Sequence, residues 1–463
     1  MALTGHRAEL LSVPHDPRIA GHEAVVHHAD GLLVIEDGII VAAGDYTALA
    51  PQFSGLSVHE HAGKLITPGF VDTHIHYPQT DRIAAFGHQL LDWLDRHILP
   101  AEVAFADAAH ARETASFFLD ELLRNGTTSA LVFATVHETS VDALFDAALE
   151  RGMRIVSGKV LMDRGPEYLR DTPGPDRTES EALIARWQGR GRLGYAVTPR
   201  FALTSSDAQL AMASELLAQH PDVLLHTHLA ENPAEIAAVE ARFGDCPDYL
   251  GVYERFGLVG PRSVFAHCIH LGAGPLARMA HAGAGAALCP TSNLFLGSGL
   301  FDLAALDHAG VRTGLGTDIG AGTSFSMLAT MGEAYKVCQL RGGVLDPFRA
   351  LHLATAGGAE IMGIRDRIGA LEPGMEADFL ILDPAATPLL ARRTAGRDLS
   401  DQLFALQILG DDRAIAATYV AGRLRHDRDA ALPLRGRPAL RLHRSSAPDN
   451  AGPKLAATGG TCQ

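Results

Sequence analysis

Two histidines at the end of a short apolar run are the first residues in this chain that could do chemistry. The run follows a Pro68-Gly69 turn and ends in His74-Ile75-His76. If the run is a strand, side chains two residues apart lie on the same face, so both imidazoles point the same way. Two neutral imidazoles that converge at a strand end provide part of the ligand set of a catalytic metal ion. On its own, His-x-His is equally compatible with a pair of structural polar residues.

Three later apolar runs end in residues of the same kind. In chain order, these ends are His226-Thr227-His228 followed by Glu231, then His267, then Asp318. Each residue has an ordinary alternative role, such as a core histidine or an aspartate that caps a helix. Because every member independently lies at a predicted strand end, we interpret the set as functional.

We predict one metal site made by His74, His76, His228 and Asp318. Nitrogen and oxygen donors suit a zinc-like or ferrous ion, and an open coordination position would hold water. Water on such an ion has a pKa near ~7 instead of ~16, so hydroxide is available at neutral pH.

Two neighbouring histidines need separate interpretation. His226 precedes His228 by two residues and should face inward one layer deeper, where we predict a hydrogen-bonded structural role. His267 and His270 compete for the same position, and we prefer His267 because it lies nearer the end of its run.

The elements that must position these residues are alternating strands and helices between about residues 67 and 370. After the first strand, we predict further strands at 127–136, 154–160, 194–203, 223–229, 263–269, 285–290 and 311–317. Helical patterns between them include 108–125, 140–151 and 206–220. Eight β-α units indicate a closed parallel (β/α)8 barrel, a TIM barrel of the α/β class, with its chemistry at the carboxyl ends of the strands.

Both ends of the chain have β-like patterns. Glu36-Asp37-Gly38 between two apolar runs predicts a hairpin, and 378–382 and 416–420 are further candidate strands. We therefore predict a small β-sandwich from residues 1–66 and 371–430, with the distorted barrel of residues 67–370 inserted between its two parts. Residues 431–463 are predicted to be a flexible tail, with 448–463 disordered.

Composition excludes several function classes. The formal charge of −15 argues against a nucleic-acid partner, which requires a basic surface. No apolar run reaches the eighteen residues of a membrane span, and the N-terminus lacks a secretory pattern, so we expect a cytoplasmic protein with no membrane partner. Five dispersed cysteines, with no C-x-x-C pair, predict reduced thiols.

Longer motifs around these residues resemble the amidohydrolase superfamily. The segment 68–76 resembles its first-strand motif, and Gly369-x-Leu371-x-x-Gly374-x-x-Ala377-Asp378 resembles its return to the β-sandwich. More specific segments resemble the branch of the superfamily that deaminates guanine; these are 74–79, 91–94, 100–102, 158–163, 198–201, 228–232, 289–294 and 314–318. The resemblance spans roughly residues 30 to 425.

The resemblance implies a single zinc, with Fe²⁺ as the alternative, on the four predicted ligands. It also implies that Gln79 and Arg200 bind the purine edge, that Phe201 lies beside them, and that Trp93 helps to cover the ring. A guanidinium and an amide suit an acceptor-rich lactam, although a structural ion pair is the commoner role of a lone arginine. Lys159 lies on the third strand and is interpreted as structural, so the site is mononuclear. We expect a homodimer, as in relatives.

The reaction implied by the resemblance is hydrolytic deamination of guanine to xanthine. Hydroxide would attack C2 while Asp318 accepts its proton and Glu231 protonates N3, with His267 stabilising the tetrahedral state and His228, Glu231 and Asp318 contacting the substrate. Partial burial would raise the pKa of Glu231 and so suit it to the role of an acid.

Alternatives within the class are deamination of another aminopurine, 8-oxoguanine or a pterin, or hydrolysis of a triazine. An alternative of another class is a non-catalytic scaffold, which should have lost ligands that this chain retains. A cytidine-deaminase-type zinc site is excluded, because no H-x-E motif with P-C-x-x-C is present.

Overall fold

The computed structural model describes residues 3–87, 89–172 and 174–430. Its strands are β1 (Thr4–Ser12), β2 (Val26–Glu36), β3 (Ile39–Asp45), β4 (Ser57–Pro68), β5 (Phe70–His76), β6 (Thr127–Phe133), β7 (Arg154–Gly158), β8 (Val160–Leu161), β9 (Gly194–Pro199), β10 (Leu224–Leu229), β11 (Ser263–His267), β12 (Gly285–Leu288), β13 (Arg312–Leu315), β14 (Phe379–Leu382), β15 (Ile415–Val420) and β16 (Arg423–Asp427). Its helices are α1 (Pro17–Ala20), α2 (Tyr46–Leu49), α3 (Leu90–Trp93), α4 (Leu99–Glu102), α5 (Ala108–Arg124), α6 (Glu138–Arg151), α7 (Pro175–Trp187), α8 (Asp207–Gln219), α9 (Pro233–Arg242), α10 (Tyr249–Arg255), α11 (Ala273–Ala282), α12 (Pro290–Phe295), α13 (Leu303–Ala309), α14 (Met327–Leu340), α15 (Pro347–Ala354), α16 (Ala356–Ile361), α17 (Pro388–Thr394) and α18 (Leu399–Leu409).

The middle of the chain forms the predicted parallel barrel. Strands β5, β6, β7, β9, β10, β11, β12 and β13 are neighbours in chain order, and β8 pairs with β9. The first and last strands of this sheet meet at their carboxyl ends. There Asp318 N donates to His74 O (2.9 Å) and His76 N donates to Ile319 O (3.0 Å). The barrel is therefore nearly closed, and its closure brings the ends of the first and last strands together.

The barrel strands are buried on both faces, which explains their nearly continuous apolar runs. Every residue of β5, β6, β7, β11 and β12 is buried. The surrounding helices bury one face each. Helix α5 begins at the N-cap Asp107, whose carboxylate accepts from two backbone amides of the first turn, and it buries Ala111, Ala115, Phe118 and Leu122 at helical spacing.

Strands from both ends of the chain come together as predicted, in one seven-stranded mixed sheet. The strand order is β16-β15-β14-β4-β1-β2-β3, so strands from both chain ends pair with each other. Asp37 and Gly38 turn the β2–β3 hairpin with φ angles of 50° and 83°, the left-handed region that Asp-Gly turns adopt. Strand β4 ends at Pro68 and leads directly into β5, which carries the site histidines.

The described residues up to Arg428 form one compact unit, so the division at residues 66 and 370 stays a prediction. The predicted flexible tail, 431–463, lies outside the described residues. In the part of the chain that the structure covers, no helix combines the length and the apolar character needed to cross a membrane. The four cysteines there are free thiols, as predicted: Cys246, Cys268, Cys289 and Cys338.

A buried histidine in the β domain should make the fold sensitive to acid. His6 is 2% exposed, and its ring stacks between His59 and His61 at centroid distances of 5.0 and 5.4 Å. Burial, reinforced by the charges of those two histidines, lowers the pKa of His6 from 6.5 to about 3. Between these pH values the unfolded chain binds a proton that the folded chain does not bind, so the free energy of unfolding falls as the pH falls.

We expect His6→Phe, which keeps an aromatic ring, to reduce this acid sensitivity. The slope of unfolding free energy against pH should decrease by up to ~1.4 kcal/mol per pH unit between about pH 6 and pH 4. Urea denaturation at a series of pH values measures the slope. His281→Gln, at an exposed position on α11, serves as the control. An unchanged slope in His6→Phe would show that His6 is not the source of the acid sensitivity.

Candidate active site

Three of the predicted metal ligands place donor atoms within a few ångströms of one point. His74 Nε2 and His76 Nε2 are 3.2 Å apart, and Asp318 Oδ1 lies 3.3 Å from each of them. Tetrahedral coordination with ligand distances of about 2.0–2.2 Å separates donor atoms by about 3.3–3.6 Å. The spacing of these three atoms therefore fits the coordination sphere of one small divalent ion.

His228 completes the set from the opposite side of the barrel. One of its ligand atoms lies within 4.8 Å of those of His74 and His76. Its Nδ1 makes a hydrogen bond of 2.7 Å with Arg200 O, which must accept, so the proton is on Nδ1. The neutral ring then presents Nε2 with a free lone pair, as a metal ligand requires.

The ionisation states of these groups also suit a cation. Burial lowers the pKa of His76 to about 3 and that of His228 well below its usual value, so both rings are neutral. Burial raises the pKa of the Asp318 carboxyl, but neighbouring His74, His76 and His267 outweigh it and hold that pKa well below the usual range. Three neutral imidazoles and one carboxylate are a common zinc donor set.

A second group of donors overlaps the first. His267 and Cys289 also lie within 4.8 Å of His74 and Asp318, measured between ligand atoms. Burial raises the pKa of the Cys289 thiol well above its usual value, which keeps it protonated. A protonated thiol is a poor ligand, so the predicted set is favoured over this one.

Residues behind the donors hold them in place. His74 Nδ1 is 2.8 Å from His226 Nε2, which gives His226 the hydrogen-bonded role predicted for it. Asp72 is fully buried and accepts hydrogen bonds from His74 N and from the amide and hydroxyl of Thr317, so it ties the ends of β5 and β13 together. Sequence analysis missed Asp72, although its position two residues before His74 could have indicated a supporting role.

The backbone at the strand ends adopts a conformation that non-glycine residues rarely use. Ala230, His267, Cys268 and Asp318 have φ angles of 51°, 72°, 53° and 52°. Each of them lies at or just after the end of a barrel strand. Strain of this kind costs about 1–3 kcal/mol per residue and is concentrated at functional sites, where it aims side chains.

Glu231 lies beside the donors. Its carboxyl is 3.4 Å from His267 Nε2 and accepts a hydrogen bond from Ser298 Oγ, also at 3.4 Å. Burial raises the pKa of Glu231 well above its usual value, and the charges of Asp318 and Glu235 raise it further. The raised pKa means that this carboxyl holds a proton more readily than an ordinary glutamic acid, which suits it to the role of a proton donor.

Two further polar residues around Glu231 were not found from the sequence. Asn293 Oδ1 lies 2.9 Å from His267 Nδ1 and orients that ring. Glu235 accepts from Glu231 N (2.9 Å) and forms a capping box with Asn232 at the start of α9. The capping-box pattern, Asn followed three residues later by Glu before an apolar run, could have predicted the second of these.

One cavity, with about 410 Å³ of empty space, joins all the predicted substrate contacts. The predicted residues that line it are Gln79, Trp93, Arg200, Phe201, His228, Glu231 and Asp318. Leu90, Leu94 and Leu296 add apolar wall, so the cavity combines flat hydrophobic surfaces with a few polar groups, as small-molecule sites do. His270, the competing histidine, instead bonds Ser298 O (2.7 Å).

Arg200 is both a pocket residue and a member of an ion pair. Its Nη1 lies 2.9 Å from each oxygen of Glu102, and both side chains are buried. The two interpretations of Arg200, substrate contact and structural ion pair, are therefore compatible.

Lys159 has the structural role predicted for it, because it is buried in ion pairs with Asp171 and Glu179.

Comparison with known proteins identifies the family. The Amidohydrolase family model matches residues 65–425. The chain is 51% identical to guanine deaminase of Escherichia coli (strain K12) over 403 residues, 86% of this chain and 92% of that protein. The solved E. coli structure superposes with a TM-score of 0.89 at 48% identity, covering 92% of this chain and 100% of that one.

Two further structures are similar. Guanine deaminase of C. acetobutylicum, solved with bound guanine, has a TM-score of 0.84 at 26% identity and covers 91% of this chain and 99% of its own. An adenosine deaminase from Xanthomonas campestris, solved with bound zinc, has a TM-score of 0.80 at 25% identity, covering 91% of this chain and 92% of its own. This chain belongs to the amidohydrolase family, in the group that contains the guanine deaminases.

Proposed function

We propose that this chain catalyses the hydrolysis of guanine to xanthine and ammonia. The observation that carries the proposal is the single cavity in which Glu231 and the metal-donor set meet Gln79 and Arg200. Its aromatic walls, Trp93 and Phe201, suit a planar base. The 51% identity to a guanine deaminase and the guanine bound to the C. acetobutylicum relative support guanine as that base.

We propose His74, His76, His228 and Asp318 as the ligands of one Zn²⁺ per chain, with Fe²⁺ as the alternative. The donor spacing of 3.2–3.3 Å and the neutral imidazoles support a small divalent ion. The zinc of the X. campestris relative supports zinc. When bound, such an ion acidifies a water and so supplies the nucleophile at neutral pH.

The protein groups then move protons in a balanced sequence. Asp318 accepts one proton from the attacking water, and Glu231 donates its proton to N3 as the new C–O bond forms at C2. His267, 3.8 Å from Asp318 Oδ2, stabilises the charge that develops on the new oxygen.

Collapse of the tetrahedral carbon resets both acids. Asp318 returns its proton to the 2-amino group, the C2–N bond breaks, and ammonia leaves. Glu231 recovers a proton from the C2 hydroxyl, which becomes the carbonyl of xanthine. Water and guanine are consumed in equal amounts, and neither carboxyl group is changed over the cycle.

The wider setting that we propose is a cytoplasmic homodimer acting in purine breakdown. The charge of −15 and a cavity of apolar walls with a few polar groups support a small-molecule substrate with no nucleic-acid partner.

Guanine turnover tests the proposal directly. We expect the purified, metal-loaded protein to convert guanine to xanthine with one ammonia released per xanthine formed, measured by ultraviolet absorbance and an ammonia assay. Adenine, 8-oxoguanine, a pterin and a chlorotriazine serve as competing substrates. Turnover of one of these, without turnover of guanine, would discard guanine and keep the site. An inactive protein that cannot bind metal would instead favour a non-catalytic scaffold.

A further inference from the structure

Glu102 lies behind Arg200, one of the residues that line the cavity, and does not line the cavity itself. It is 1% exposed, and both of its oxygens lie 2.9 Å from Nη1 of Arg200. Within the described residues, Glu102 is the one hydrogen-bond partner of the Arg200 side chain. The bonds occupy a single nitrogen, so Nη2 and Nε of the guanidinium keep their N–H donors for another group.

The second predicted recognition residue, Gln79, lies beside Glu102 and is held by the backbone. The amide oxygen of Gln79 accepts from Gly320 N at 3.2 Å, which places the amide nitrogen on the other side. The Gln79 side chain faces the Glu102 carboxyl and acts to lower the pKa of that group, against the larger effect of burial, which raises it. Glu102 therefore lies next to both predicted recognition residues, and its direct contact is with Arg200.

The local chain explains how Glu102 reaches this position. Helix α3 ends at Trp93, a π-helical turn runs from Leu94 to Ile98, and α4 ends at Glu102. π-helical turns are rare and occur most often at functional sites. One irregular segment therefore supplies both Trp93, which lines the cavity, and the carboxylate behind Arg200.

We infer that Glu102 is a positioning residue for substrate specificity, which locks the Arg200 guanidinium in one orientation as a donor for the acceptor-rich edge of the base. This inference rests on the proposed function. A free arginine side chain would lose rotamer freedom on binding, whereas a side chain already held by a buried carboxylate loses little. The carboxylate also balances the guanidinium charge, so the cavity suits a neutral lactam rather than an anion.

Kinetics of Glu102→Gln test the inference. A glutamine keeps the shape but removes the charge and half of the acceptor capacity. Because the donors bind the ground state and the transition state alike, we expect KM for guanine to rise at least ~10-fold while kcat stays within ~3-fold of wild type. Metal content should not change. Glu102→Asp, which keeps the charge on a shorter side chain, should give an intermediate KM.

A double mutant distinguishes positioning from a general structural effect. If Glu102 acts through Arg200, Glu102→Gln combined with Arg200→Gln should have a KM no higher than that of Arg200→Gln alone. Glu376→Gln is the matched control. Like Glu102, Glu376 forms hydrogen-bonded ion pairs with arginine, in its case with Arg154 and Arg192, but it does not line the cavity. It should leave both KM and kcat unchanged.

The outcomes separate this inference from the proposed function. Wild-type turnover of guanine with an unchanged KM in Glu102→Gln, or an equal loss of kcat, would overturn the inference and leave the function standing. Multiplicative effects in the double mutant would also overturn it. Absence of guanine turnover by the wild-type protein would overturn both. If Glu102→Gln fails to fold, the KM of Glu102→Asp decides by the same criterion.

Discussion

Glu231→Gln lowers kcat for guanine by ~10² to 10⁴-fold while the protein retains its full complement of metal; this is the expected result if Glu231 is the proton donor. Glutamine has nearly the same shape as a protonated glutamic acid but cannot transfer a proton. Glu231 is 3% exposed and lies outside the proposed ligand set, so the substitution should disturb neither folding nor metal binding.

The environment of Glu231 gives the physical reason for so large an effect. Burial keeps its pKa high, and the nearby charges of Asp318 and Glu235 keep it higher. The carboxyl therefore holds a proton more readily than an exposed glutamic acid does before substrate binds. Within the described residues of the cavity, no other carboxyl combines a raised pKa with contact to His267.

The measurement is steady-state turnover of guanine together with metal analysis of the same preparation. Glu240→Gln, an exposed glutamate on α9, is the matched control and should behave as wild type. A kcat within ~3-fold of wild type would remove Glu231 from the role of acid. Loss of metal in Glu231→Gln would show instead that the residue helps to form the metal site.

The barrel could be predicted from the sequence because its strands are short, buried on both faces and regularly spaced. The predicted strand at 127–136 overlaps β6 (Thr127–Phe133), and that at 263–269 overlaps β11 (Ser263–His267). In both cases the prediction ran past the end of the strand. Apolar residues continue into the buried loops at the barrel mouth, so composition alone does not mark where the ladder ends.

Spacing predicted the site residues that follow strands, whereas Trp93, from an irregular segment, was predicted only through the resemblance and Glu102 was given no role. His74 and Asp318 are marked by the runs that precede them. Glu102 is the opposite case, because it follows a π-helical turn whose pattern has no regular period. Its partnership with Arg200 joins residues 98 positions apart, and only the folded chain brings them together.

We expect replacement of His228 by alanine to abolish both stoichiometric metal binding and guanine turnover, whereas Cys289→Ser should retain both. This pair of variants decides between the two overlapping donor groups of the cavity. His228 belongs only to the group with His74 and His76, and Cys289 belongs only to the group with His267 and Asp318. Each substitution therefore removes one candidate ligand and leaves the other group complete.

The expected direction follows from protonation. The His228 ring is neutral and its Nδ1 is fixed by Arg200 O, so its Nε2 lone pair is ready to bind without loss of a proton. The Cys289 thiol must first lose a proton that burial makes hard to remove. A catalytic ion with three protein imidazoles and a carboxylate should lose most of its affinity with one imidazole gone, and kcat should fall by at least ~10³-fold.

Metal per chain after dialysis, measured beside the wild-type protein, gives the first readout. The absorption spectrum of the cobalt-substituted protein gives the second, since a cobalt–thiolate bond adds an intense near-ultraviolet band that imidazole and carboxylate ligands do not give. Cys289→Ser should leave that spectrum unchanged, and His228→Ala should remove the visible bands. Loss of metal in Cys289→Ser, or a thiolate band in the wild-type protein, would transfer the ligand role to Cys289.

Removal of metal by a chelator should abolish turnover. Added zinc should restore turnover in the wild-type and Cys289→Ser proteins but not in His228→Ala.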